Sequence, residues 1–304
     1  MSRVTWSDEG RDWPNRAASR FVDTGRIRWH VQVLGAELGT APVVLLLHGT
    51  GAATHSWRAL APLLAADFTV IAPDLPGHGF TTGRPTGGLA MPAMARSVGD
   101  LLRVLGAAPD LVVGHSAGAA IAFRMVLDGI VAPNAVVGLN PALMPFPGLA
   151  AKLFPTFARM LFVNPFVPHL VAGLARGPGD AAAYLQRATG SRIDPVGVTL
   201  YRRLFATSDH VEGALTMMAA WDLDTFARDL PRMTVPALLL HGGADAAIPL
   251  ASVEQAAKRM PACHVQVLPD LGHLAHEERP ADVAAILRAF AAESASTPVP
   301  QAVS

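Results

Sequence analysis

The chain has 304 residues, 51% of them hydrophobic, and its 24 Lys+Arg are matched by 24 Asp+Glu. That is enough chain to bury a core as one large domain or a domain with an insertion, and too little net charge to follow a nucleic-acid backbone. The single cysteine, Cys263, cannot form an internal disulfide, which excludes a cross-linked scaffold and makes the cytoplasm the expected compartment.

The opening stretch MSRVTWSDEGRDWPNR is polar and mixed in charge, without the apolar run of a secretory signal. Residues 1–18 are therefore expected to be a polar leader. RFVDTG and RIRWHVQVLG, rich in β-branched and aromatic residues around an Asp-Thr-Gly turn, predict an antiparallel hairpin. PVVLLLHG (42–49) and FTVIAPDLPGHG (68–79) are near-continuous apolar runs ending in Gly or Pro, the pattern of strands covered on both faces. Helical spacing lies between them at Trp57, Leu60 and Leu64, and after them at Met94, Val98, Leu101, Leu102 and Leu105.

DLVVGHS followed by a helix from Ala117, then NAVVGLN (134–140), continue a strand-helix alternation that predicts a doubly wound, mostly parallel α/β sheet. From Met144 to Asp229 the alternation stops; the segment is rich in Pro, Phe and Leu, with helical pieces and no strand signal. It resumes with VPALLLHGG (235–243), a helix near Ser252–Met260, HVQVLP (264–269) and a last helix bearing Val283, Ile286, Leu287 and Phe290 on one face. The expected organisation is a core over 19–143 and 230–292, a helical cap insertion over 144–229 and a disordered tail over 293–304. The greasiest stretch, roughly 135–175, is interrupted by six prolines and carries Lys152 and Arg159, which argues against a membrane crossing.

Ser116 lies in VVGHSAGAAI. Gly-x-Ser-x-Gly alone is weak evidence, since a Gly-rich strand-helix turn without chemistry reads the same way. Its setting adds weight: a strand before it, a helix directly after it, and the small residues Gly114, Gly118 and Ala119 where neighbouring backbone must approach a sharply turned nucleophile. A serine hydroxyl needs a base to take its proton, and the base needs a carboxylate to set its tautomer. Asp245 follows one late strand and His273 follows the next, in the order Ser, Asp, His; Asp270 and His276 are the local alternatives. Asn140, at another strand end, cannot serve as the acid. An oxyanion would be held by the backbone N–H of Ala117 and of Thr50, or Gly51, in LLLHGTGAATHSW. His48 is expected to brace that loop and Asp74 to shape the Pro-Gly turn after it. No metal-ligand spacing, CxxC or strand-borne GxGxxG occurs, so no cofactor is expected.

These motifs, in this order, resemble the α/β-hydrolase superfamily over residues 20–292. The finer pattern of WPN, SRFV, WHVQ, HGTGAATHSW, APDLPGHGFT, GHSAGAAIAFRM and GLNPALMPF is similar to the BchO-type magnesium chelatase accessory proteins of bacteriochlorophyll biosynthesis. That resemblance implies a place near magnesium insertion into protoporphyrin, with chelatase subunits as candidate partners and the photosynthetic membrane as a candidate surface. It leaves the reaction open: a serine hydrolase acting on a hydrophobic ester or acyl substrate, or a non-catalytic porphyrin-binding accessory. Asp-nucleophile relatives such as dehalogenases and epoxide hydrolases are disfavoured by the serine at 116. In the insertion, Lys152, Thr156 and Arg159 share one helical face and apolar residues lie elsewhere, as in a helix resting on a membrane or on the protein body. Asn140, Phe146, Met217 and Trp221 are candidate lining residues of a hydrophobic substrate pocket.

Overall fold

The computed structural model describes residues 2–145, 166–177 and 180–296. Among these residues nine strands form one sheet: β1 (Ser19–Asp23), β2 (Ile27–Leu34), β3 (Val43–Leu47), β4 (Thr69–Pro73), β5 (Thr82–Gly83), β6 (Leu111–His115), β7 (Ala135–Leu139), β8 (Ala237–Gly242) and β9 (Cys263–Leu268). Their order is β1-β2-β4-β3-β6-β7-β8-β9, with β5 pairing β2 off this path. β1 and β2 form the expected hairpin, β2 runs antiparallel to β4, and every pair from β4 to β9 is parallel.

Residue parity divides the sheet into two cores. Val44, Leu46, Val70, Leu111, Val113, Val137 and Leu240 face one side, where Trp57, Leu60, Leu64, Val283 and Leu287 cover them. Val43, Leu45, Leu47, Ile71, Val112, Val136 and Leu239 face the other, against Met94, Val98, Leu101, Ile121 and Phe123. Two buried faces are why these strands read as unbroken apolar runs. The covering helices include α1 (Leu60–Leu64), α2 (Met91–Leu105) and α3 (Ala117–Leu127), and Val283 and Leu287 come from the last helix, Pro280–Ser296.

Between β7 and β8 the described residues include the helices α4 (Val167–Arg176), α5 (Ala181–Thr189), α6 (Pro195–Phe205), α7 (Ser208–Ala219) and α8 (Leu223–Asp229). Asp180, Asp194 and Asp222 start three of them by accepting the amides of Ala183, Gly197 and Thr225, the N-cap chemistry that satisfies otherwise orphaned donors. Lys152, Thr156 and Arg159 lie outside the described residues. The chain closes with α9 (Leu250–Ala257), α10 (Ala275–Glu278) and α11 (Pro280–Ser296). Among the described residues no helix is long and apolar enough to cross a membrane.

Two expectations change. The tail is not disordered from residue 293, because α11 continues to Ser296 and buries Ser294. The leader is more than a polar extension: Val4 and Trp13 are buried with Phe80, Leu200 and Leu204, and Trp6 packs beside them. Trp13 Nε1 donates to Thr54 Oγ1 at 2.9 Å, and the Arg203 guanidinium spans both carboxylate oxygens of Asp12 at 2.7 and 2.9 Å. Few apolar residues at helical or strand spacing mark this stretch, so its packing surface is legible only once α6 is beside it.

Truncating the buried indole in Trp13→Ala is expected to destabilise the protein by about 3–5 kcal/mol. Urea unfolding followed by circular dichroism would show this as a lower midpoint at unchanged slope.

Candidate active site

β6 ends at His115, and Ser116 turns the chain into α3 with φ 51° and ψ −116°. A non-glycine residue held there costs on the order of 1–3 kcal/mol, tolerated only where the surroundings over-determine it. They do so here: the Ser116 amide donates to Leu139 O at 2.9 Å, and the Ser116 carbonyl accepts from Ala119 and Ala142 at 3.1 and 3.2 Å. Gly114 and Gly118 complete the constraint, because a Cβ at either would overlap backbone, of Ala119 in the first case and of Leu47 and His48 in the second. Ser116 itself stays partly exposed.

His273 and Asp245 are brought together at the same sheet edge. His273 Nδ1 lies 2.8 Å from Asp245 Oδ2, with the acid's side chain fully buried and the imidazole about 10% exposed. Asp245 is saturated: Oδ1 accepts the amides of Ala247 and Ile248 at 2.7 and 2.9 Å, and Oδ2 also accepts Asn140 Nδ2 at 2.8 Å. Burial works to raise this carboxyl's pKa, but the His273 hydrogen bond and charge, with the Ile248 and Asn140 donors, outweigh it and hold the group below the ordinary value. It is thereby kept ionised beside the ring it orients. The alternatives fall away on placement. Asp270 is exposed, and His276 is sealed in the interior with its Nε2 2.8 Å from Ser56 Oγ and its ring against Trp57.

The His273 loop is tied to the turn at Ser116 through His115, whose Nε2–H donates to the His273 carbonyl at 2.9 Å and whose ring lies 4.8 Å from that of His273. Burial, with His273 nearby, pushes the His115 pKa down to about 3, so the ring is neutral and acts as a fixed donor.

The loop after β3 abuts the elbow; a Cβ on Gly49 would stand 3.1 Å from Ser116 Cβ. His48 braces it as expected, with Nδ1–H donating to Gly49 O at 2.8 Å and Nε2 accepting the Leu75 amide at 2.9 Å. Asp74 does turn chemistry and more. Its Oδ1 accepts the Thr54 amide at 2.7 Å, and its Oδ2 accepts the Phe80 amide and His30 Nδ1, both at 2.8 Å. Burial opposes that charge, yet His30 holds the Asp74 carboxyl well below the usual carboxylate range. The amides of Thr50, Gly51 and Ala117 have no backbone acceptor among the described residues. Gly51 is pinned from α7, where His210 Nε2–H donates to its carbonyl at 3.0 Å, while Thr50 remains partly exposed.

The expected pocket residues separate. Met217 is fully buried, and its Sδ lies 3.7 Å from Thr50 Oγ1. Trp221 packs against the main core with Nε1 bonded to Leu89 O at 3.1 Å. Phe146 lies outside the described residues. Asn140 is buried and gives its amide to Asp245 and, at 3.3 Å, to Gly272 O, so its side chain serves the acid's surroundings. Its position at a strand end next to β8 was the available signal, since a donor there reaches the neighbouring loop. His115 and His210 were also unassigned; only the former's place beside Ser116 hinted at its role.

A sequence model described as the alpha/beta hydrolase family matches residues 44–286. The Magnesium-chelatase 30 kDa subunit of Rhodobacter capsulatus is 41% identical over 268 residues, covering 88% of this chain and 92% of that protein. Fluoroacetate dehalogenase of Burkholderia sp is 29% identical, covering 91% and 94%. Among solved structures, a thermophilic esterase from Thermogutta terrifontis superposes with a TM-score of 0.72 at 24% identity, over 91% of this chain and 98% of that one.

A group whose folded pKa is depressed contributes stability that is present above its unfolded pKa and lost as pH falls through the folded one. The difference in unfolding free energy between wild type and Asp245→Asn is therefore expected to change, to the disadvantage of wild type, as pH drops below the ordinary value of 3.8. Urea titrations at a series of pH values below about 5 check this; a difference that does not move would contradict it.

Proposed function

The chain belongs to the alpha/beta hydrolase family, and on that premise we propose that it is a serine hydrolase acting on a hydrophobic ester or related acyl substrate near magnesium insertion into a tetrapyrrole. Ser116 is the nucleophile, His273 the general base and then acid, and Asp245 the group that orients it. The observation that carries this reading is Ser116 itself, a non-glycine residue kept at φ 51° at the head of a helix, where strain is repaid by presenting the hydroxyl at the sheet edge.

In the proposed reaction Ser116 Oγ forms a bond to the carbonyl carbon as its proton passes to His273 Nε2. Asp245 stabilises the imidazolium by accepting from Nδ1 without taking the proton. The resulting oxyanion is held by the amides of Ala117 and Thr50, each donor typically worth about 3–4 kcal/mol of barrier. Collapse breaks the ester C–O bond, and His273 returns its proton to the departing alkoxide. Water then repeats the sequence on the acyl-serine, releasing the acid and restoring the hydroxyl.

Two features support a hydrophobic substrate or surface. The sequence over 146–165 is dominated by Phe, Leu and Pro, and on α4 and just before it Phe166, Leu170 and Leu174 are 64–77% exposed at a spacing of four residues, one helical face. Membrane contact through the exposed face of α4 belongs to the same proposal, as do chelatase subunits as partners. The second reading, a non-catalytic porphyrin-binding accessory, is favoured by one observation, the name of the Rhodobacter capsulatus relative.

Purified protein is expected to hydrolyse medium-chain nitrophenyl esters and to be labelled at Ser116 by a fluorophosphonate, with turnover falling at least about a thousandfold in Ser116→Ala. In a strain that depends on this chain for bacteriochlorophyll, Ser116→Ala is expected to abolish its contribution. Pigment output that survives the substitution, together with quenching of Trp fluorescence by protoporphyrin, would favour the second reading instead.

A further inference from the structure

The segment that leads out of α5, Thr189 to Asp194, runs between the acid loop and the base loop. One carbonyl joins the two: Thr189 O accepts the His273 amide at 2.7 Å and the Ala246 amide at 3.4 Å. Ser191 Oγ accepts the Leu274 amide at 2.8 Å, and is buried. Glu278, just beyond His273, bridges back with Oε2 accepting the Arg192 amide at 3.1 Å and Oε1 accepting the Gly272 amide at 2.8 Å.

Steric fit is as tight as the hydrogen bonding. Gly190 has φ +72°, and a Cβ there would overlap the Ala244 carbonyl; a Cβ on Gly272 would overlap Ser191 and Gly190. Backbone from three segments is thus packed without intervening side chains. The connection continues to Asp194, which receives Arg58 Nη2 at 2.6 Å. Arg58 in turn pairs with the buried Glu277, whose Oε1 also accepts Ser56 Oγ at 2.6 Å and Tyr201 OH at 2.8 Å. Burial raises the Glu277 pKa against the pull of Arg58 and the hydroxyls, and a buried ion pair is weak grounds for stability alone. Its geometric effect is plain: it links the turn after the oxyanion loop, α6 and α10.

From this arrangement we infer that Thr189–Arg192 is a positioning element for the His273–Asp245 pair, through which the placement of the helices between β7 and β8 sets the reactivity of Ser116. The inference rests on the serine-hydrolase reading for its consequence, and on the hydrogen bonds above for its mechanism. Thr189, Gly190 and Ser191 touch no reacting atom. They fix where the two loops stand, and a displacement of about 1 Å in such a pair is enough to cost orders of magnitude in rate.

The test uses the full-length protein carrying Ser191→Ala, which removes one acceptor, and Gly190→Ala, which forces the connector off the Ala244 carbonyl. Two readouts are taken: the second-order rate of Ser116 labelling by a fluorophosphonate, and the downfield proton resonance of His273 Nδ1, identified by its absence in His273→Ala. Both variants are expected to keep the wild-type circular dichroism, label at least about tenfold more slowly, and show the resonance shifted or broadened. If Gly190→Ala does not fold, Ser191→Ala decides alone. Folded variants that keep the wild-type labelling rate and an unshifted resonance would overturn the inference. A wild type that never labels would instead remove the hydrolase reading, and the resonance would still report whether the connector positions the pair.

Discussion

A hydrogen atom in place of a side chain at position 118 is the constraint on which the rest of the site depends. The first turn of α3 lies so close to the end of β3 that any Cβ at Gly118 would overlap the carbonyl oxygens of Leu47 and His48. That closeness sets the loop at Gly49–Gly51 against Ser116. It also forces the chain through the sharp φ 51° turn at Ser116, since a gentler exit from β6 would carry the helix away from β3. Register does the remainder: Leu47 stands opposite Gly114, and His115 opposite Leu139, so the strand ends deliver their loops to one edge, as open parallel sheets do.

Beneath that edge two buried carboxylates, Asp74 and Asp245, keep their charge among rings that burial holds neutral. Most of the eleven histidines are buried, and burial lowers the pKa of rings such as His48, His115 and His210, favouring the neutral form. Each then has one donor and one acceptor nitrogen, and His48 uses both to hold a loop. Asp245 is the opposite case, its charge retained because four donors meet two oxygens. A carboxylate left with fewer partners at that depth would protonate and lose its hold on the imidazole. Asn140 is therefore as much a part of the acid's environment as His273.

Much of this was legible in the residues. Strands buried on both faces announce themselves as continuous apolar runs, the parity of Val43–Leu47 assigns each side chain to a core, and the small residues around Ser116 mark an approach of backbone to backbone. The loop positions of Asp245 and His273 followed from where the late strands end. What escaped depends on contacts between distant segments. Nothing local in the leader indicates that Trp13 will meet Leu200, and α11 outruns its apolar face because helix propensity carries Ala291–Ser296 one turn further. Asn140 was visible as a polar residue at a strand end, but choosing between a pocket and a partner acid required the neighbouring loop. The connector at Thr189–Asp194 acts through its main chain, and a carbonyl leaves no trace in a sequence.

If Ser116 is the nucleophile, it becomes covalently acylated during turnover. It is tested most directly by mixing the protein with a nitrophenyl ester, quenching in acid within the first turnovers, and mapping the acyl mass by peptide mass spectrometry. A single acyl adduct is expected on the peptide containing Ser116, formed in step with the first nitrophenolate released and absent in Ser116→Ala. Ester cleavage with no adduct at that residue, or an adduct that persists in Ser116→Ala, would contradict it.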